Sequence, residues 1–259
     1  MTIDLSALHI GGVVLDIEGT TTPIAFVYET LFPYARAHVA HYLEQEGDSS
    51  TCRAAAALLR EDHARDLERG ESPPPLAASA SGSAGAPQDL GRASLVTYVY
   101  WLMDRDTKSP GLKMLQGLVW EKGYRAGELN GAVYPDVFPA LERWQALGRR
   151  VFIYSSGSVL AQQLLFGSTN TGDLTRFLSG YFDTTVGSKT SPESYRIITG
   201  RIDVPASRTL FVSDVEAELE AAREAGFQTT LCVRRPDSRR SALAESRHTI
   251  IETFDELVG

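Results

Sequence analysis

One stretch constrains the fold of this 259-residue chain more than any other: Val13-Val14-Leu15-Asp16-Ile17-Glu18-Gly19-Thr20-Thr21-Thr22. Its apolar start is short, β-branched and preceded by Gly11-Gly12, which predicts a buried strand. Gly19 and the threonines stop the strand where the two carboxylates appear. Asp16 and Glu18 are then left at the carboxyl end of a strand, the edge where open α/β sheets collect their ligands. Taken alone, two acids at a strand end serve equally well as turn caps.

The same arrangement recurs beyond residue 134. Pro135-Asp136 opens a helix, with Asp136 as its N-cap, Val137, Leu141 and Trp144 on its inner face, and Gly148 just past its end. Residues 150–154 form a strand that runs into Ser155-Ser156-Gly157-Ser158, and a helix bearing Val159, Leu160, Leu164 and Leu165 follows. Residues 182–186 predict another strand, leading to Gly187-Ser188-Lys189 and a helix from Pro192. A strand at 209–212 ends in Ser213-Asp214. The helix after it, 216–225, closes at Gly226, and 229–233 is the last core strand. Strands separated by helices imply a parallel sheet with right-handed crossovers.

Between the first strand and this series lies a block with no convincing strand. Residues 28–45 place Leu31, Tyr34, Val39, Tyr42 and Leu43 on one helical face. Residues 51–69 are rich in Ala, Leu, Arg and Glu, and helical pattern returns at 94–105 and 110–122. The stretch 70–92, with Pro73-Pro74-Pro75 and a run of Ser, Ala and Gly, has too little apolar surface to pack and reads as a mobile loop. The expected organisation is an α/β fold: a Rossmann-like parallel sheet core from residues 1–23 and 134–259, interrupted by a helical block at 24–133.

Composition excludes several functions. A formal net charge of -8 without any basic block argues against a nucleic-acid partner. Any anionic substrate must therefore be held by local cations. No apolar run approaches the roughly 20 residues of a membrane span, and the N-terminus lacks the pattern of a signal peptide. Cys52 and Cys232 are far apart and read as buried thiols in a reducing compartment. The expectation is a cytoplasmic, soluble monomer. His38 and His41 are three apart on a helix and lack an evident third metal ligand. Gly187-Ser188-Lys189-Thr190 misses P-loop spacing, and no G-x-S-x-G elbow surrounds Ser155 or Ser156.

Polar residues thus stand at four exits: Asp16 with Glu18, Ser155 with Ser156, Lys189 in a nearby loop, and Asp214. Each has an ordinary reading by itself, as a cap or a solvated charge. In a parallel sheet, however, all the carboxyl ends lie on one edge, so the four can converge. Here the chain resembles the haloacid dehalogenase superfamily of phosphohydrolases, through VVLDIEGTT, VFIYSSGS, GSKTSPESY and FVSDVEAE. Within it, DIEGTTTPIAFVYETLFPYA, YPDVFPAL and IYSSGSVLAQQLLFGST are similar to the acireductone synthases, the enolase-phosphatase family of methionine salvage. The common superfamily motif has Asp where Glu18 stands, and that departure is itself characteristic of the enolase-phosphatases.

The resemblance implies a fold of the haloacid dehalogenase type with residues 24–133 as an inserted cap, and it implies roles. Asp16 would be the nucleophile, forming an aspartyl-phosphate, and Glu18 the general acid and then base. Lys189 would hold nucleophile and phosphate, while Ser155 and Ser156 would bind phosphoryl oxygens. Mg²⁺ would sit on Asp16, the Glu18 carbonyl and Asp214. Glu218, one helical turn beyond Asp214, is either an orienting acid or a solvated one. The implied substrate is the small phosphoester 2,3-diketo-5-methylthiopentyl-1-phosphate, enolised and then dephosphorylated. Residues 112–120, with Lys113 and Gln116 on the polar side, are a candidate substrate-facing helix; for Met114, Leu118 and Trp120 core packing is the competing reading. Another small phosphoester, a phosphomutase reaction, or a member that only binds a ligand remain as alternatives.

Overall fold

Short runs of β-branched and aromatic residues, covered on both faces, build the sheet of this chain. The computed structural model describes residues 2–77, 88–107, 109–234 and 246–259. They divide into two units, Met1–Val27 with Asn130–Gly259, and Tyr28–Leu129. In chain order the first unit contains β1 (Ile3–Asp4), β2 (Gly12–Leu15) and a short α1 (Ile24–Phe26) that runs into a π-turn, Val27–Leu31. The second contains α2 (Phe32–Glu46), α3 (Ser50–Glu68), α4 (Gln88–Met103) and α5 (Pro110–Arg125). The first unit resumes with α6 (Val137–Ala146), β3 (Arg150–Tyr154), α7 (Val159–Gly167), β4 (Gly180–Phe182) and α8 (Pro192–Ile202). It ends with β5 (Thr209–Ser213), α9 (Glu216–Glu224), β6 (Gln228–Cys232), β7 (Thr249–Ile251) and β8 (Leu257–Val258).

The main sheet has the order β4-β3-β2-β5-β6-β7 with every neighbouring pair parallel, so the expected α/β class and Rossmann-like sheet are observed. β1 and β8 form a separate parallel pair. Period-two alternation sends Val13, Leu15, Val151, Ile153, Leu210 and Val212 to one face, against Val137, Leu141 and Trp144 of α6. Val14, Phe152, Tyr154 and Phe211 face the other way, against Tyr195, Ile198 and Ile202 of α8 and Leu219 of α9. A strand covered on both faces has no polar side, which explains the unbroken apolar runs.

The second unit is helical. Leu59, Tyr98, Val99, Leu102 and Leu115 meet in its core with Val39 and Leu43. α3 and α5 approach closely at Gly111, where a Cβ would lie 2.6 Å from the backbone nitrogen of Leu59. Leu112, Leu115, Leu118 and Val119 belong to this core, Met114 packs against it, and Trp120 donates its indole N–H to the Leu31 carbonyl at 2.8 Å. Gln116, expected on a polar side, is buried.

Other differences from the sequence reading have local causes. Of residues 70–92, positions 78–87 lie outside the described residues, and 88–92 are already helix in α4. The proline stretch is tied down, with Pro74 O bonded to the His63 ring at 2.9 Å and Leu76 packed on the helical core. The strand expected at 182–186 stops at Phe182, because Asp183 accepts from the backbone N–H of Thr185 and of Val159 and turns the chain. Asp136 makes no side-chain cap; its carboxylate accepts from Arg234 and from the Phe254 N–H instead. The strand at 228–232 is followed by a further one, β7. His38 bonds the Tyr34 carbonyl and stacks on its ring, while His41 lies 3.8 Å from Glu44. Among the described residues no helix is long and apolar enough to cross a membrane.

Candidate active site

Strand order reverses between β2 and β5, and in such sheets the crevice beyond that switch point is the ligand site. The residues just past β2, β3 and β5 are Asp16, Ser155 and Asp214. Asp16 is still anchored to the sheet, its N–H donating to the Val212 carbonyl at 3.0 Å, and the residue is 2% exposed. A closed turn follows. The N–H groups of Thr20, Thr21 and Thr22 all point at the Ile17 carbonyl, Gly19 N–H donates to Thr22 O, and the Thr21 hydroxyl donates to Asp16 O. Gly19 takes φ +72°, where an L side chain is strained. The threonines therefore shape the backbone that carries Glu18.

Lys189 comes from the loop between β4 and α8, and its ammonium lies 2.5 Å from Asp16 Oδ1 and 2.7 Å from Glu218 Oε2. Its backbone is fixed by α8 and β3. Tyr195 Oη donates to Lys189 O at 2.7 Å, Ser194 Oγ to Ser188 O at 2.7 Å, and Tyr154 Oη to Gly187 O at 3.0 Å. Tyr195 is itself set edge-on against Tyr154, Phe211 and Phe227. Burial works against the lysine's charge, but Asp16 and Glu218 outweigh it and hold the ammonium above the ordinary lysine range. Glu218 is pushed up to about 7, first by burial and then by Asp16, with Lys189 and Ser213 pulling the other way. Two carboxylates share a single ammonium, so the cluster carries an excess negative charge in a dry place.

Ser213 completes the group. Its hydroxyl lies 3.2 Å from Asp16 Oδ2 and 2.9 Å from Glu218 Oε2. Ser155 Oγ reaches Glu18 Oε2 at 3.5 Å, a long contact, and accepts from Gly157 N–H at 3.1 Å. Asp16, Glu218 and Lys189 thus form one bonded cluster, and Ser155 stands beside Glu18. Ser156 is half-buried, and among the described residues no hydrogen bond joins its side chain to the others. The helix after β3 is capped by Ser158, whose side chain accepts from Ala161 N–H, so Ser155 is not spent on that cap. Glu218, open between two readings in the sequence, is buried and ion-paired. Ser213 and Tyr195 were not singled out; their only sequence signal is adjacency, one residue before Asp214 and six after Lys189.

The donor set can be tested against a metal. Mg²⁺ prefers hard oxygen ligands, keeps several waters and needs only one or two carboxylates. A Cβ built on Gly19 would lie 2.5 Å from Asp214 Oδ2, so the Asp214 carboxylate fills the space that a side chain at residue 19 would take. Asp214 is therefore aimed at the turn that follows Asp16. Among the described residues no three His, Cys, Asp or Glu side chains form a metal-holding group. Two carboxylates, a carbonyl and water suit Mg²⁺ and not a soft or fully protein-caged ion.

Comparison with known proteins adds to this geometry. A family model described as haloacid dehalogenase-like hydrolase matches residues 10–226. Enolase-phosphatase E1 of Synechococcus elongatus is 46% identical over 245 residues, covering 94% of this chain and 95% of the relative. Its counterpart in Gluconacetobacter diazotrophicus is 44% identical over 248 residues, covering 96% and 93%. Among solved structures, the UTR4 protein of Saccharomyces cerevisiae matches with a TM-score of 0.73 and 33% identity, over 96% of this chain and 100% of that one. Agreement of this extent, over almost the whole length of the chain, means that it belongs to the haloacid dehalogenase-like hydrolases and, within them, to the enolase-phosphatase family.

Proposed function

We propose that this enzyme converts 2,3-diketo-5-methylthiopentyl-1-phosphate to 1,2-dihydroxy-3-keto-5-methylthiopentene and phosphate, the enolase-phosphatase step of methionine salvage. The phosphatase character follows from family membership; the substrate is the one that the resemblance to the enolase-phosphatases implies. The observation that carries the chemistry is the Asp16–Lys189 pair at the switch point. A carboxylate approaching a phosphate dianion meets repulsion of about 4 kcal/mol per charge pair at ~4 Å and an effective dielectric near 20. A buried ammonium already in contact with the nucleophile offsets part of it.

In this reading Asp16 attacks phosphorus and becomes an aspartyl-phosphate, which water then hydrolyses. Glu18 protonates the leaving oxygen in the first step and takes the proton from water in the second. Ser155 and Ser156 hold phosphoryl oxygens through hydroxyl and backbone N–H groups near the start of α7. Lys189 holds the phosphate as well as Asp16, and Glu218 with Ser213 keeps the ammonium in place. Mg²⁺, typical of phosphatases of this family, would be held by Asp16, the Glu18 carbonyl and Asp214, and would supply charge neutralisation at the phosphoryl and enediolate oxygens. We also read the protein as a cytoplasmic monomer; two free, buried thiols at Cys52 and Cys232 support a reducing compartment.

The test follows enediol absorbance and inorganic phosphate together in a magnesium-dependent assay on the diketone phosphoester. Both products are expected from the wild type, and phosphate release is expected to vanish in Asp16→Asn. Phosphate without enediol absorbance would remove the enolase half of this reading. Wild-type phosphate release by Asp16→Asn would overturn the nucleophile.

A further inference from the structure

We infer that Arg234 is a positioning residue for the reaction, acting through the turn that carries Glu18. Arg234 follows β6, two places along the sheet from β2, and is 6% exposed. Its guanidinium is used on both edges. Nε and Nη2 donate together to the carbonyl of Thr20, at 2.8 and 2.6 Å. Nη1 donates to Asp136 Oδ2 at 2.6 Å and to the Glu252 carbonyl at 3.2 Å. The rings of Tyr134 and Phe254 lie 4.3 and 4.5 Å from the guanidinium carbon. Asp136 is fixed in turn by the Phe254 N–H at 2.6 Å, and Tyr134 N–H donates to the Thr21 carbonyl at 3.0 Å.

A buried cation needs one counter-charge, and Asp136 provides it. The second edge of the fork is aimed elsewhere, at a single backbone oxygen two residues after Glu18. That oxygen belongs to the closed turn in which Gly19 N–H meets Thr22 O and residues 18 and 22 pair. Displacing Thr20 therefore displaces the Cα of Glu18. The opposite side of the turn is held by the sheet through Asp16 N–H, so Arg234 and Tyr134 brace the side that the sheet does not reach. Lysine cannot replace this brace, because a point charge with one nitrogen cannot serve Thr20 and Asp136 in two directions at once.

This inference rests on the reading of Glu18 as acid and base, and a double-mutant cycle separates the two. Turnover of the diketone phosphoester is measured for wild type, Arg234→Lys, Glu18→Gln and the double variant, with folding checked by thermal melting. Arg234→Lys is expected to lower kcat about 10-fold or more with KM nearly unchanged, as a sub-ångström misplacement of a catalytic group does. In the Glu18→Gln background the same change is expected to cost less than about 2-fold, since coupled residues are non-additive. Equal fold losses in both backgrounds would overturn the positioning role and leave Glu18 intact. A Glu18→Gln variant with wild-type kcat would overturn both by removing the reading of Glu18. Asp136→Asn, which keeps Arg234 and removes only its counter-charge, provides the same comparison if Arg234→Lys does not fold: a kcat loss confined to the Glu18 background supports the brace, and an equal loss in both refutes it.

Discussion

Lys189→Met removes the ammonium that Asp16 and Glu218 share, and its effect on stability can be worked from the geometry. The two carboxylate oxygens lie 2.5 and 2.7 Å from the same nitrogen, so they are within about 5 Å of each other, where two unit charges repel by about 3 kcal/mol at an effective dielectric near 20. Removing one partner from a buried ion pair costs a similar amount, about 3–5 kcal/mol. Relief is available from a proton. Burial and then Asp16 already hold Glu218 at about 7 with the ammonium present; without it, the folded state binds that proton more tightly still. The unfolded chain titrates its carboxyls near 4. The folded variant therefore binds more protons than the unfolded one above that pH, so stability is kept at low pH and lost as pH rises through the folded value. Urea unfolding in EDTA reads this directly. Relative to wild type, the variant is expected to lose about 3 kcal/mol at pH 8 and distinctly less at pH 6. Wild-type stability at pH 8, or equal losses at both pH values, would refute the shared-ammonium account.

Two other predictions concern single positions. Gly19→Ala forces a Cβ into a left-handed φ of +72° and against Asp214 Oδ2; it is expected to destabilise by about 1–2 kcal/mol and to raise the Mg²⁺ concentration for half-maximal phosphate release several-fold. An unchanged magnesium curve would show that residue 19 and the metal ligands do not share space. Burial pushes the Cys232 thiol up to about 12 and raises Cys52 as well, so neither is expected to react with a thiol reagent at pH 8 until denaturant is added, thiolate being the nucleophile. Rapid labelling of the native protein would contradict the burial of both.

The parts of this molecule that were legible in its sequence are those whose cause is local. Val13-Val14-Leu15 reads as a strand because both its faces are covered and no residue in it is free to be polar. Asp16, Ser155 and Asp214 are legible for the same reason: each is the first residue past a strand buried on both faces, and so marks the sheet edge. Where a local signal competed with another, the stronger won. Asp183 closes a turn on Thr185 and cuts short the run at 182–186, and β7, three residues long, is too brief for periodicity to detect. Asp136 has the sequence of an N-cap, yet a buried guanidinium 98 residues away claims its carboxylate.

What stayed illegible is the second layer of the site, and the reason is again physical. Ser213, Tyr195 and Arg234 act on backbone or side chains brought near them only by the sheet order, so no spacing along the chain announces them; Glu218 is marked by its place one turn beyond Asp214, but its partner Lys189 is supplied by the fold. They also bear on how a chain of net charge -8 can handle an anionic ester. Lys189 is buried between two acids and fixed by Tyr195 through its own carbonyl, while Arg234 spends its charge on Asp136 and its remaining edge on the Glu18 turn. The cations are few, desolvated and immobilised, which makes each one stronger in the crevice than a field of solvated lysines would be. The cost is a cluster with excess negative charge and Glu218 held near 7, a tension that a divalent ion beside Asp16 and Asp214 would relieve.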